Sequence, residues 1–305
     1  MRIAQANLGR SRLASDELVV SAVGEGFDVL LIAEPYTHKG RACALGSSSH
    51  VVITGQKGDE TPWTAVVVLS PNITATHRQQ YSSAHCVCVE LSGAFGSVVV
   101  ISQYHQFSHE PEVHIDYLDL LLSRLGSRRV IIGMDLNGTS PQWSSRVQVA
   151  DERGLLLEEV IHRHGLAAVY RPGHPRTLVR GDKDVDVTLV TSKLEAQVCD
   201  WTVREGRTTA DHRPIAYCLR EQVTSGVRGH QGTTCAGLTG EGVGGRSRSC
   251  WRRSPVRILR FGSAGGGCTC SGSERCSACR DRNRDTKEKI LSPLSSLVER
   301  GADWA

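Results

Sequence analysis

The sequence predicts a layered α/β domain over residues 1–220 and, after it, a mostly disordered tail rich in Gly, Ser, Arg and Cys over residues 221–305. Three observations lead there. Short apolar runs rich in Val, Ile and Leu are interspersed with amphipathic helical stretches, the pattern of sheets covered by helices. Several neighbouring runs are joined by connections of hairpin length, so the sheets are mixed and lie packed in the middle. After Glu221 the amphipathic period stops, and Gly, Ser, Arg and Thr take over, as in Thr239 to Ser249.

Arg2 to Asn7 reads as a first strand ending in a polar residue. Ser15-Asp16-Glu17 offers a helix cap, with Leu18, Val19, Ala22 and Val23 as the apolar face and Gly24 and Gly26 as the stop. Phe27 to Glu34 is a buried strand ending in a carboxylate, and Pro35 ends its ladder. A loop from Gly40 to Ser49 precedes four strand-like runs, beginning at His50, Ala65, Cys86 and Ser97. The turn Ser92 to Gly96 joins the last two. Beyond Tyr104, residues from Asp116 to Leu125 keep helical spacing. Val130 to Asp135 is a buried strand running into Asp135-Leu136-Asn137-Gly138, and a helix from about Asp151 to His164 follows. Strands over Leu166–Tyr170, Asp184–Val190, Trp201–Val203 and Asp211–Leu219 complete the domain.

Charge divides the chain as composition does. Residues 1–220 hold 22 Lys and Arg against 24 Asp and Glu, whereas residues 221–305 hold 14 against 8. A slightly acidic body with a basic tail is the pattern of a folded unit followed by a solvated, polyanion-tolerant segment. No run approaches the roughly 18 apolar residues of a membrane span. The N-terminus lacks the apolar core of a signal peptide, so an intracellular, reducing location is expected. Cys43, Cys86, Cys88, Cys199 and Cys218 then read as buried thiols. In the tail, Cys268, Cys270, Cys276 and Cys279 leave half a zinc site and a loose cysteine-rich linker both open. A short helix around Thr286 to Arg300 is a further expectation.

The candidate site residues sit at strand ends: Asn7, Glu34, Tyr104, Asp135, Asn137 and the pair Asp211-His212, with Asp186 inside an apolar run. Each has an ordinary structural reading, as a turn residue, a solvated strand exit or a rim aromatic. Asp186 is the hardest to set aside, because a buried carboxylate needs a partner and His212 is available. Together the set suits hydrolysis of a phosphate ester. Glu34 supplies a hard oxygen for Mg²⁺, which takes few protein carboxylates. His212 could act as a cation facing phosphoryl charge or, if neutral, as a base, with Asp186 orienting its ring.

The order of these motifs resembles the endonuclease/exonuclease/phosphatase superfamily, and within it the exonuclease III-like abasic endonucleases and non-LTR retrotransposon endonucleases. The matching stretches are Gln5-Ala6-Asn7, Ala33-Glu34-Pro35-Tyr36, Ser102-Gln103-Tyr104, Asp135-Leu136-Asn137, Pro141-Gln142-Trp143-Ser144-Ser145, Asp186-Val187-Thr188 and Ala210-Asp211-His212-Arg213-Pro214-Ile215. The Glu-Pro pair is similar to the retrotransposon branch in particular. Two positions depart from the family pattern: Met134 stands directly before Asp135 where Gly is usual, and Ala210 replaces a Ser.

The resemblance covers about residues 1–220 and implies a four-layer α/β sandwich of two packed mixed sheets. It implies an Mg²⁺-dependent enzyme, with Mn²⁺ as a substitute, that nicks DNA as in target-primed retrotransposition. By the same resemblance Asn7 and Glu34 hold metal or phosphate and Asp211 lies near the metal. Asp135 positions or deprotonates water with Asn137 in support. Tyr104 and His212 stabilise the pentacovalent phosphorus, and Asp186 orients His212. The expected partners are DNA and other retrotransposon-encoded proteins, with no membrane, for a monomer acting in the nucleus. No Tyr-x-Asp-Asp-type polymerase motif appears, so an endonuclease fragment, a truncated element copy or a host gene derived from one is expected. A phosphatase of the same fold and an inactive nucleic-acid-binding relic are the alternatives.

Overall fold

A computed structural model describes residues 1–56, 58–181 and 183–220. The expected boundary near 221, the tail's disorder, its cysteine group and its helix lie outside the described residues. In chain order the elements are β1 (Arg2–Asn7), α1 (Arg12–Glu25), β2 (Val29–Ala33), β3 (Thr37–His38), β4 (Arg41–Ala42), β5 (Val51–Thr54), β6 (Thr64–Val68), β7 (Thr74–His77) and β8 (Cys86–Gly93). They continue with β9 (Gly96–Tyr104), α2 (Pro111–Leu125), β10 (Val130–Asp135), α3 (Glu152–His164), β11 (Leu166–Ala168), β12 (Asp186–Thr191), α4 (Ser192–Glu195), β13 (Val198–Val203) and β14 (Ile215–Leu219).

Two six-stranded mixed sheets carry the fold, in the orders β13-β14-β1-β2-β6-β5 and β11-β12-β10-β9-β8-β7. Strand alternation explains the layers. Ile3, Val29, Leu31 and Val66 of the first sheet meet Val87, Val89, Val100 and Ile131 of the second in one buried cluster. Their neighbours Ala4, Ala6, Leu30 and Ile32 face Leu18 and Ala22 of α1 instead. On the far side, Val130, Ile132 and Met134 pack with Leu118 and Leu122 of α2 and Leu157 and Val160 of α3. Both faces of each sheet are covered, so the central strands read as continuous apolar runs. The result is helix, sheet, sheet, helix: a four-layer sandwich. Among the described residues no helix is long and apolar enough to cross a membrane.

Several boundaries differ from the sequence reading for physical reasons. The first helix starts at Arg12, a turn early, because Ser11 caps it by accepting from the Ala14 amide at 3.2 Å. It runs through Gly24 and stops at Gly26, where φ is 69°. Val23 is half-exposed rather than on its buried face. Asp211 to Arg213 precede β14 as a loop strapped to residues 177–179, since the Val179 amide donates to Asp211 O and the Arg213 amide to Thr177 O. The short hairpin of β3 and β4, strand β7 and helix α4 have too little apolar patterning to stand out in sequence.

Candidate active site

Two parallel strand pairs build the site. β1 and β2 run parallel through the α1 crossover, which sets Asn7 beside Ala33 and so beside Glu34. β9 and β10 run parallel through α2, which sets Tyr104 beside Asp135. The antiparallel neighbour β12 begins with Asp186 directly opposite Asp135. Three of the candidate residues therefore meet through sheet register alone. His212 joins them from the loop before β14.

The hydrogen bonds give each group a place. The Asn7 Nδ2 amide donates to Glu34 Oε1 and Asp135 Oδ2, each at 2.8 Å. Its Oδ1 accepts from the Gly9 amide at 2.8 Å, which fixes the orientation of the carboxamide. Asn7 is thus a bridge between two carboxylates, and its nitrogen, not its oxygen, faces them. Asp135 Oδ1 accepts from the Asn137 amide at 2.9 Å, a local turn that ends the strand, while Asn137 Nδ2 donates to His105 O at 3.0 Å. Glu34 and Asn137 both adopt left-handed backbone, with φ of 47° and 53°. For Glu34 this is an uncommon conformation, held by its own amide donating to Trp63 O at 2.8 Å. Tyr104 faces Glu34 across the site.

His212 Nδ1 lies 2.9 Å from Asp186 Oδ2, and its Nε2 lies 3.9 Å from Asp135 Oδ2. Burial works against a charged ring, but Asp186 first, then Asp135 and Glu34, outweigh it and lift His212 to about 9. Asp135 is raised as well. Burial and the nearby Asp186 push it up to about 7, against the opposing pull of His212, Asn7 and the Asn137 amide. Burial and the facing charges of Glu34 and Asp135 also raise Tyr104, which stays a neutral donor.

The donor set suits a hard divalent cation. Ligand atoms of Asp135, Asp186 and His212 lie within 4.8 Å of one another, and Glu34 is tied to Asp135 through Asn7. A buried carboxylate forced toward neutrality is relieved by a cation beside it. Asp211 is not drawn into this group: it is exposed, and its carboxylate pairs with Arg180 at 3.1 Å.

Three supports were not singled out from sequence. Trp63 stacks on Tyr104 with centroids 5.5 Å apart, and the Arg10 guanidinium lies 3.6 Å from the centroid of the Trp63 ring. Asp184, fully buried, accepts from Ser144 Oγ at 2.6 Å and draws Arg146 and Arg176 to 3.5 and 3.4 Å. Its carbonyl accepts from Trp143 Nε1 at 3.3 Å, which accounts for the Trp-Ser loop motif. Gln5 Nε2 donates to Val187 O at 3.1 Å, and Gln5 Oε1 accepts from Thr188 Oγ1 at 2.9 Å across the two sheets. An amide inside the apolar run of β1 and a second carboxylate two residues before Asp186 were the signals available. At the departures, Met134 packs under α2 and α3. A Gly stands one place earlier, where a Cβ on Gly133 would meet Leu31 and Gln5 at 2.8 and 2.9 Å. Ala210 packs against the core under α1.

Residues 98–216 match the family model described as endonuclease-reverse transcriptase. The chain is 29% identical over 185 residues to the retrovirus-related Pol polyprotein from type-1 retrotransposable element R1 of Bradysia coprophila, covering 58% of this chain and 18% of that protein. It is 28% identical over 220 residues to a putative 115 kDa protein in type-1 retrotransposable element R1DM of Drosophila melanogaster, covering 69% and 21%. The chain thus spans about a fifth of the length of the curated relatives it matches. Among solved structures, the endonuclease domain of TRAS1, a telomere-specific non-LTR retrotransposon, superposes with a TM-score of 0.66 at 25% identity, covering 72% of this chain and 98% of that one. An AP endonuclease, LMAP from Leishmania major, shares the fold with a TM-score of 0.57 at 13% identity, over 72% and 88%. The sandwich is the endonuclease/exonuclease/phosphatase fold, and over residues 98–216 and the TRAS1 superposition the chain is similar to the endonucleases of non-LTR retrotransposons.

Proposed function

We propose that this chain is a divalent-metal-dependent endonuclease, using Mg²⁺ or Mn²⁺, that nicks target DNA for retrotransposition by hydrolysing a phosphodiester. The observation that carries the reading is the paired arrangement around Asp135. On one side Asn7 ties it to Glu34, and on the other the Asp186–His212 pair stands 3.9 Å away. Two titratable groups whose environments push them to about 7 and about 9 divide the acid and base work.

Glu34 is the protein ligand we assign to the ion, with Asp135 beside it. A bound divalent ion supplies charge stabilisation to the phosphoryl and leaving oxygens. Asn7 holds the two carboxylates at their spacing, so its metal role is indirect. Asp211 would have to leave Arg180 to take part. Asp135, near 7, accepts a proton from water at neutral pH, and Asn137 braces the turn that positions it. His212, near 9, is a cation that faces phosphoryl charge, and Asp186 keeps it charged and oriented. Tyr104 donates its hydroxyl hydrogen to a phosphoryl oxygen or to Glu34. Arg10, over the Trp63 ring, is a further cation beside Glu34. The nuclear site of action and the association with other element-encoded proteins follow from this reading, as does a single chain as the working unit. Residues 1–220 are the domain we assign to it.

The test is relaxation of supercoiled plasmid in Mg²⁺ by the wild type, His212→Ala and Asp135→Asn. Each variant is expected to lose on the order of 100-fold or more in rate. Equal rates for wild type and His212→Ala reject the mechanism. DNA binding without cleavage points to a relic, and a substrate panel in which phosphomonoesters are preferred points to a phosphatase.

A further inference from the structure

A second group of metal-ligating side chains lies outside the residues used above. His85 ends the turn before β8, His109 sits in the loop before α2, and His114 lies in the first turns of that helix. One ring nitrogen from each falls within 4.8 Å of the others. His109 Nδ1 and His114 Nε2 are 3.2 Å apart. A Zn–N bond of roughly 2.0–2.1 Å implies about 3.3–3.4 Å between two nitrogens of a tetrahedral site, so this spacing needs little adjustment. Behind them His105 is wholly buried, its ring centroid 5.1 Å from that of His114, and neither of its ring nitrogens has a hydrogen-bond partner. Four imidazoles in one place, one with both nitrogens unpartnered, are costly as plain packing.

We propose that His85, His109 and His114 form a binding site for a borderline divalent transition ion of the Zn²⁺ class, with His105 packed behind them. Imidazole nitrogens select such ions over Mg²⁺, which prefers oxygen. The three ligands come from three separate segments, so an ion here ties the loop over residues 105–110 to α2 and to the turn before β8. That loop touches the catalytic strand end, because the His105 amide donates to Asp135 O at 2.9 Å and Asn137 donates to His105 O. His85 also stacks on Trp63, with centroids 5.5 Å apart. The site would therefore brace one wall of the catalytic cleft, and it holds whether or not the nuclease reading does.

The test is a Zn²⁺ titration of the full chain in excess Mg²⁺, followed by Co²⁺ substitution and absorption spectroscopy. One tightly bound equivalent with the visible bands of tetrahedral Co²⁺ is expected. His85→Gln and His109→Gln, at half-buried positions, are each expected to weaken it at least about tenfold, since even loss of an outer-shell partner costs 10- to 100-fold. Glu34→Gln keeps it. Binding that survives the histidine changes overturns the proposal whether or not Glu34→Gln removes it, assigning the ion to the carboxylates if it does and to the tail cysteines if it does not, as does no binding in excess Mg²⁺. X-ray absorption at the zinc edge of the wild type serves if a variant fails to fold. An imidazole-dominated shell upholds the site, and an oxygen-only shell rejects it.

Discussion

Replacing Asp186 by Asn tests the charge on His212 while keeping an oxygen to accept from its Nδ1 hydrogen. In the wild type His212 rises from an ordinary 6.5 to about 9, which corresponds to about 3 kcal/mol of preference for the charged ring. Asp186 is the leading cause among those that raise it, by charge and by hydrogen bond. Without that charge, burial is opposed only by Asp135 and Glu34, and the ring titrates well below 9. Asp135 follows in the same direction, because Asp186 is one of the groups that raise it. Nicking rate against pH should therefore be bell-shaped in the wild type, with an acid limb from Asp135 and an alkaline limb from His212. In Asp186→Asn both limbs move toward acid and the rate at neutral pH falls by about 100-fold.

Stability supplies a readout free of turnover. A group raised in the folded state binds protons more readily there than in the unfolded chain. Its contribution is complete below the unfolded value and is lost as pH climbs through the folded one. For His212 the loss runs from about 6.5 to about 9, by up to about 3 kcal/mol, and urea unfolding at a series of pH values measures it. The decline should be much smaller in Asp186→Asn. An alkaline limb still near 9 in that variant, or the same fall in stability, would refute the assignment of the His212 charge to Asp186.

Asn7→Ala removes the donor that lowers Asp135 and holds Glu34, so the acid limb of the nicking profile should move to higher pH. The rate at neutral pH should drop by at least about tenfold, the worth of one hydrogen bond of about 1.4 kcal/mol. Gly133→Ala puts a methyl against Leu31 and Gln5 where the two sheets approach. It should cost about 1–3 kcal/mol in urea unfolding. Asp184→Ala leaves Ser144, Arg146 and Arg176 without their shared buried acceptor. A loss of about 3–5 kcal/mol is expected, read as a lower thermal midpoint, together with slower nicking if the loops over 140–146 and 174–177 frame the substrate.

Most of the architecture was legible because the central strands are buried on both faces. Val29 to Ala33 and Val130 to Asp135 then read as unbroken apolar runs, and the polar residues that end them stand out. Asp186 was legible for a different reason, as a carboxylate that had to find a partner, and His212 Nδ1 lies 2.9 Å from it. What was hidden depends on through-space contact. Nothing local marks Asp184 as the acceptor for Ser144, forty residues away, or Trp63 as the ring beneath Arg10. Asp211 beside His212 looked like part of the same machinery. Its side chain leaves the backbone on the solvent side and finds Arg180. The three histidines of the second group lie in separate segments whose spacing carries no metal-binding signature, and only the packing of α2 against the turn before β8 assembles them.

The proposed catalytic geometry rests on register more than on any single bond. Asp186 faces Asp135 because β12 is aligned on β10 with Thr188 opposite Gly133. A slip of one residue would bring Val185 or Val187 opposite Asp135 and turn Asp186 to the other face of the sheet. The apolar side chains of β12 do little to prevent this, since Val187 and Leu189 on one face and Val190 on the other are all buried and similar in size. The buried polar contacts do discriminate. Thr188 Oγ1 donates to Gln5 Oε1 and accepts from Trp201 Nε1 at 3.0 Å, while Gln5 Nε2 reaches the carbonyl of Val187. In any other register these groups would be buried without partners, at roughly 1–3 kcal/mol each. Gln5 is only two residues from Asn7 on β1. The same strand that supplies the bridge between Glu34 and Asp135 thus also holds β12 in the one alignment that places Asp186, and through it His212, beside them.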